Sequence, residues 1–266
     1  NGKSGKLTYQ TGSFINIPVA HIHGGELSGS IDDNVRHAIT KLSHIHFVSN
    51  YESRKRLIKM GENPDFVYNV GAPSIDNIVN AKFLGKEELF EKYSIIDGKP
   101  YFILIFHPTT TDFESINDQI NSILSVISNF KIRTIAIKSN SDTGGKIINN
   151  VLKGYAEKNS FFNLYDNIPY VEYLSLLKYT SLLIGNSSSG IIEAPTFKIP
   201  VINIGNRQRN RIRASNIIDV SFDTFSIENA INRALNDKKY RDTLAGVKNP
   251  YGTGRSGEKI VKILNK

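Results

Sequence analysis

Residues 15–49 read INIPVAHIHGGELSGSIDDNVRHAITKLSHIHFVS, and the order of patterns inside them decides the fold class. Ile15–His21 is an apolar run that predicts a buried strand ending at the pair Gly24-Gly25. Asp33–Leu42 then carries Val35, Ala38, Ile39 and Leu42 on one helical face, and Ile45–Ser49 predicts the next strand. Strand, turn, helix, strand is the unit from which parallel α/β sheets are built. The same stretch holds five of the six histidines, His21, His23, His37, His44 and His46, with Glu26, the pair Asp32-Asp33 and Arg36. Histidine changes charge near neutral pH. Carboxylates beside it suit proton transfer, metal binding or anion handling.

The alternation continues outward. Tyr51–Met60 predicts a helix stopped by Gly61, and Phe66–Val70 a strand leaving through Gly71-Ala72-Pro73. Around Leu84–Pro100 the pattern loosens into a charged helix and Asp97-Gly98-Lys99-Pro100, which puts a domain boundary there: residues 1–85, then 86–266. The second series has strands at Tyr101–Phe106, Arg133–Lys138, Leu182–Gly185 and Val201–Ile204. Its helices are expected at Asp118–Phe130, Lys146–Lys158, from the serine turn through Glu193, Phe225–Leu235 and Gly257–Leu264. The fold class is therefore α/β, two Rossmann-like domains with parallel sheets, the first short for its type. Ligands of such folds sit at the carboxyl ends of strands, where His21, His107 and Asn186 fall.

Composition narrows the function. The chain has 266 residues, 39% hydrophobic and 22% charged, enough to bury a core. It has no apolar run of about 18 residues, so no membrane span is expected, and Asn1–Gln10 lacks a signal-peptide core. Absence of cysteine excludes disulfides and thiolate chemistry and fits a cytoplasmic location. The net charge of +8 favours anionic partners. No block of basic residues resembles a nucleic-acid tail, and a solvated surface accounts for most of the lysines.

Several motifs bear chemistry. The turn Asn186-Ser187-Ser188-Ser189-Gly190 follows a strand and opens a helix, so its hydroxyls and N–H groups suit phosphate. An ordinary capping turn would look the same, and the ending of a P-loop is absent. Glu193, one turn on, suits ribose hydroxyls or the helix N-terminus. The loop 207–213 (RQRNRIR) holds four arginines, whose forks suit phosphate oxygens; it reads equally as a solvated loop. His21-x-His23 and His44-x-His46 share strand faces, but no zinc spacing is matched and no metal is expected. One of Asp32 and Asp33 caps a helix, and a close carboxylate pair can hold one raised pKa. His107 at a strand end suits a phosphate contact, a catalytic acid or a satisfied loop position. Asn140-Ser141-Asp142 with Gly144-Gly145 is a further polar turn.

Taken in order, HIHGGELSGSIDDNVRHAITKLSH, NVGAPSIDNI, IFHPTT, KSNSDTGG, GNSSSGIIEAP and NPYGTG resemble the hydrolysing UDP-N-acetylglucosamine 2-epimerases of sialic-acid biosynthesis. The likeness runs from about Asn16 to the C-terminus and is less specific for the sugar than for the superfamily. It implies a GT-B-like fold with the active site between two Rossmann-like domains, and hydrolysis of UDP-GlcNAc to UDP and N-acetylmannosamine. It implies acid/base roles for Asp32, Asp33 and His107 and a charge role for Arg36. UDP would be held by Ser187, Ser188, Ser189, Gly190 and Glu193, with Asn140 and Asp142 in the neighbouring turn. Non-hydrolysing relatives have glutamate where this chain has His23, so His23 is expected to assist while the glutamate role falls to Glu26. No cofactor beyond UDP as substrate moiety, a homodimer and a cytoplasmic location go with the family. The alternatives are the UDP-2,4-diacetamido-2,4,6-trideoxyglucose substrate of the legionaminic-acid route, a nucleotide-binding fragment without catalysis, and a GT-B glycosyltransferase that would not exchange the C-2 proton. The family's opening Gly-rich turn and Gly-Asp-Arg segment do not precede Ile15, so roughly 100 residues of the first domain are expected to be missing. Asn1–Gln10 matches no motif and fits a vector-derived extension.

Overall fold

The protein was studied as a computed structural model that describes residues 17–29, 32–109, 116–140 and 144–265, with Asp32 described by its backbone alone. The chain divides into two compact units.

Unit 1 comprises Asn1–Asn80, Arg209–Ile212 and Asn249–Lys266. Its described strands, β1 (Ala20–Ile22), β2 (Ile45–Val48) and β3 (Val67–Asn69), are all parallel in the order β1-β2-β3. His21 lies opposite His46, and Val48 opposite Asn69. Parallel strands need helical crossovers, and helices Asp32–Lys41 and Tyr51–Lys59 supply them. Asn50 caps the second by accepting from Ser53 N–H at 2.9 Å. β1 is shorter at its start than the expected Ile15–His21, which in part lies outside the described residues. Pro18 has no N–H to give a ladder. Val19 instead donates to His44 Nδ1 at 3.1 Å, and its carbonyl accepts from His44 and Ile45.

The C-terminal helix Ser256–Leu264 also belongs to unit 1. It has no side-chain cap of its own at Arg255. Asp76 supplies one from helix Pro73–Val79: Oδ1 accepts from Ser256 N–H at 2.9 Å and Oδ2 from Gly257 N–H at 2.7 Å. These bonds hold the Asp76 carboxyl below its usual range despite the opposing effect of burial. Compared with a boundary drawn after residue 85, the chain turns from unit 1 to unit 2 at Asn80–Ala81 and sends two later segments back. Local periodicity carries no information about such returns.

Unit 2 comprises Ala81–Gln208 and Arg213–Lys248. Its sheet has β4 (Tyr101–Ile105), β5 (Arg133–Ile137), β6 (Phe162–Tyr165), β7 (Leu182–Gly185), β8 (Val201–Ile204) and β9 (Ile217–Val220). The order is β6-β5-β4-β7-β8-β9 and every pairing is parallel. All five residues of β4 and all four of β7 are buried, as expected of central strands covered on both faces. Helix Ile116–Phe130 buries Ile116, Ile120, Ile123, Leu124 and Ile127, a stripe at 3.6-residue spacing, in the core cluster with Phe102, Leu104 and Phe106. Each such side chain contributes about 1.5–3 kcal/mol. β7 and β8 fall where their sequences put them. Edge strands β6 and β9, and helix Tyr170–Tyr179, did not stand out. Edge strands lack the solid apolar run of a buried strand, and YVEYLSLLKY is apolar nearly all round, so it shows no stripe.

Strand order in unit 2 reverses between β4 and β7. That is the topological switch point, where open α/β sheets leave a crevice beyond their carboxyl ends. Among the described residues no helix is long and apolar enough to cross a membrane.

Candidate functional site

In unit 1 the turn after β1 is shaped by two glycines. A Cβ on Gly24 would stand 2.6 Å from His21 Nδ1, and one on Gly25 2.7 Å from the Ser53 carbonyl, at a φ of +75°. His23, between β1 and this pair, has a φ of 67°. A non-glycine residue there costs about 1–3 kcal/mol and marks functional turns. This backbone turns Glu26 inward, where it is 2% exposed. Glu26 Oε2 meets His23 Nε2 at 2.9 Å and Arg211 Nη2 at 3.1 Å. Oε1 is buried with no hydrogen-bond partner among the described residues. Burial works to raise the Glu26 pKa, but the His23 hydrogen bond and the charges of His23, Arg211 and Arg36 outweigh it and hold the carboxyl below its usual range. Glu26 is thus a buried carboxylate kept ionised, with one oxygen open to a donor.

Asp33 is different. Its Oδ1 accepts from Ser28 N–H at 2.9 Å, Ser28 Oγ at 2.8 Å and Arg36 Nη1 at 2.7 Å, and Oδ2 from Gly29 N–H at 2.8 Å. Burial pushes its pKa up, but these bonds hold it below the usual range. Its oxygens are spent on shaping the 26–29 turn. Arg36 also donates to the Glu26 carbonyl at 2.7 Å, so it organises the same turn. The Asp32 side chain lies outside the described residues.

The remaining histidines of the stretch are mostly structural. His46 is 1% exposed and bonds Glu62 at 3.1 Å. His44 accepts the Val19 N–H. His21 is buried beside Thr40 Oγ1 at 3.2 Å, and burial, with the charges of His46, Arg36, His23 and His37, lowers its pKa from 6.5 to about 4. Because this folded value lies below the unfolded one, unfolding takes up a proton. The neutral ring's contribution to stability is intact above pH 6.5 and lost as pH falls towards 4. We expect urea unfolding of unit 1 to lose about 1.4 kcal/mol per pH unit across that window for this one proton, with a shallower slope in His21→Asn. A flat parent profile from pH 6.5 to 5 would show that His21 is charged in the fold. Among the described residues no three His, Asp or Glu side chains converge as metal ligands.

In unit 2 the site is built at the switch point. A Cβ on Gly185 would lie 1.9 Å from the Ile105 carbonyl oxygen, so only glycine lets β7 end this close to β4. Asn186, 1% exposed, then ties the strand ends together. Its Oδ1 accepts from His107 N–H and its Nδ2 donates to the His107 carbonyl, each at 2.8 Å. Its own carbonyl accepts from Arg207 Nη1 at 3.0 Å and Gln208 Nε2 at 2.9 Å. His107 Nδ1 accepts from Asn140 N–H at 3.2 Å, which puts the proton of the neutral ring on Nε2. His107 therefore presents an N–H donor at the crevice, as a phosphate oxygen or leaving group requires. Asp142 lies outside the described residues.

Ser187 caps the following helix, Ser188–Ile192, accepting from Ser189 N–H at 3.3 Å. Gly190 packs where a Cβ would stand 2.9 Å from Val201 Cγ1. Ser189 Oγ donates to Glu193 Oε2 at 2.5 Å and also meets Tyr173 OH, while Tyr170 OH donates to Glu193 Oε1 at 3.5 Å. Burial pushes the Glu193 pKa up against those two bonds. Tyr170, Tyr173, Ile105, Ile168, Ser187 and Ser189 line a cavity of ≈350 Å³ at the carboxyl ends of the strands, within the range of small-ligand pockets. Its aromatic walls and hydroxyl edge suit a flat polar ring. A cavity of ≈700 Å³ at the opposite, amino ends is lined by no carboxylate or histidine.

The structure thus groups His23, Glu26, Asp33 and Arg36 in unit 1, and His107, Asn140, the serine turn and Glu193 in unit 2. Sequence reading did not single out Tyr170 or Tyr173, and took Arg211 and Gln208 only as part of the loop 207–213, suited to phosphate or to solvent. Of the arginine loop, Arg207, Arg211 and Arg213 each bond protein groups, Arg213 through Asp219 at 2.5 Å.

The sequence profile of one family matches residues 7–265 of this chain. The chain belongs to the UDP-N-acetylglucosamine 2-epimerase family. It is 37% identical over 250 residues to a protein of Legionella pneumophila named UDP-N,N'-diacetylbacillosamine 2-epimerase (hydrolyzing), and 42% identical over 258 residues to the polysialic acid biosynthesis protein P7 of Escherichia coli. These alignments cover 94% and 95% of this chain but 65% and 64% of those relatives, so the chain spans somewhat under two thirds of their length. In fold it is similar to the UDP-GlcNAc 2-epimerase of Neisseria meningitidis, solved bound to UDP-GlcNAc, with a TM-score of 0.83 at 20% identity over 97% of this chain and 72% of that one. The fold class expected from sequence, GT-B-like α/β with parallel sheets in two Rossmann-like units, is the one this chain has.

Proposed function

We propose that the protein is a hydrolysing UDP-sugar 2-epimerase that converts UDP-GlcNAc and water to UDP and N-acetylmannosamine. The observation that carries this reading is Glu26: a carboxylate buried yet kept ionised, in a chain of this family. Inverting C-2 needs a base on one face of the sugar and an acid on the other. Glu26 and Asp32 fill these roles. One takes the C-2 proton while the C-1–O bond breaks and its electron pair leaves with UDP, producing a glycal. Water then adds at C-1, giving its proton to a base, and C-2 is protonated on the opposite face by the other residue. His23 exchanges protons with Glu26, and Asp33 with Arg36 positions the turn. His107 Nε2–H neutralises charge on the leaving diphosphate, Ser187–Ser189 and Glu193 hold phosphate and ribose, and the Tyr170–Tyr173 cavity takes the base. The residues need no cofactor for these steps.

The Legionella relative supports a second substrate, UDP-2,4-diacetamido-2,4,6-trideoxyglucose, for the same chemistry. Incubation with each UDP-sugar in D2O, followed by proton NMR, tests both. UDP release with deuterium at C-2 of a free 2-epimeric sugar is the expected result, and the sugar consumed names the substrate. UDP binding without turnover of either would refute the epimerase reading and leave a nucleotide-binding protein.

A further inference from the structure

We propose that Arg211 is the positioning residue of Glu26, holding its Oε2 so that Oε1 stays available as the proton-transfer oxygen. The chemistry in this inference rests on the function proposed above, while the geometry stands without it. Four residues, Arg209–Ile212, are all that the long stretch between Asn80 and Asn249 contributes to unit 1. Their backbone is pinned there by Tyr251, 0% exposed, whose OH donates to the Ile212 carbonyl at 3.2 Å. The Arg211 side chain is 9% exposed and its Nη2 reaches Glu26 Oε2 at 3.1 Å.

Other cations near Glu26 do different work. Arg36 spends Nη1 on Asp33 and on the Glu26 main-chain carbonyl, not on its carboxylate. Arg56 Nη1 donates to the Gly25 carbonyl. Among the described residues the Glu26 carboxylate is touched by His23 and Arg211, both on Oε2. A guanidinium stays charged at every working pH. Arg211 is therefore the permanent counter-charge, and leaving Oε1 bare is costly for stability but useful for catalysis. A buried ion pair is weak evidence for stability. One that engages a single carboxylate oxygen and leaves its twin unbonded is better explained by orientation.

The test is a carboxyl titration of the full chain labelled with carbon-13 at glutamate side chains, the Glu26 signal being identified by its loss in Glu26→Gln. In Arg211→Gln the Glu26 midpoint is expected to rise by about one pH unit or more. In Arg211→Lys, whose ammonium has a shorter reach and no planar fork, a smaller rise is expected, with kcat down about 10-fold and KM unchanged. A merely structural role would lower thermal stability without moving the midpoint. A folded Arg211→Gln titrating like the parent overturns the proposal. If that variant does not fold, an Arg211→Lys curve superimposing on the parent's overturns it. The titration needs no substrate, so absence of turnover in the parent would refute the proposed function and leave this inference to the titration alone.

Discussion

Glu26→Gln is expected to lower turnover about 1,000-fold, in the middle of the range for loss of a general acid or base, while UDP binding changes little. The side chain keeps its shape, so the effect comes from charge and proton affinity. An amide can neither take nor give the C-2 proton, and it leaves the Arg211 guanidinium buried without its counter-charge. Removing one partner of a buried pair costs about 3–5 kcal/mol, so part of any loss of activity could come from unfolding. Measuring kcat well below the variant's own melting temperature, together with UDP affinity by calorimetry, separates the two. If UDP affinity holds and kcat falls less than about 10-fold, Glu26 is neither the base nor the acid. Asp33→Asn should act by another route. Four hydrogen bonds already use its oxygens, so its loss disorders the turn that presents Glu26.

Gly185→Ala is expected to destabilise unit 2 by about 4 kcal/mol or more, an exceptional value for one methyl group. The atom it meets is backbone: the Ile105 carbonyl oxygen at 1.9 Å and carbon at 2.7 Å, in the register pair Ile105–Gly185 of two central strands. No rotamer change can relieve such a clash, and a φ of +129° is itself unfavourable for alanine. Relief requires β4 and β7 to part at their carboxyl ends, which would break the Asn186 N–H bond to Ile105 and the reciprocal bonds between Asn186 and His107. Urea unfolding and UDP binding should therefore fail together. A variant within about 0.5 kcal/mol of the parent would mean that the strand ends do not pack this closely.

Much of this was legible in the sequence. β4 and β7 are solid apolar runs, β2 and β8 apolar runs broken only by His46 and Asn203, all bounded by glycine, proline or polar turns, and the helices at 116–130 and 224–236 carry clean stripes. Those are local properties, and they locate elements to within a residue or two. The polar turns after β4, β5 and β7 were also visible, because short polar segments between apolar runs are local features of the sequence. Tyr170 and Tyr173 were hidden because their helix has no polar face to set them off. The partners of His21, His44 and His46 were not legible: they are tied to Thr40, Val19 and Glu62, which one-dimensional order does not bring together.

By itself the sequence determined the α/β class, the parallel alternation and the family, because periodicity and motif order are properties of neighbours along the chain. Tertiary structure alone separated Glu26 from Asp33. Asp32-Asp33 is the obvious pair on paper and Glu26 stands alone, yet Asp33 is fully bonded to the backbone of residues 28 and 29, while Glu26 is buried against Arg211, 185 positions away. The ionisation of a carboxylate is set by what surrounds it in three dimensions: desolvation working one way, fixed charge and hydrogen bonds the other. None of those terms depends on distance along the chain.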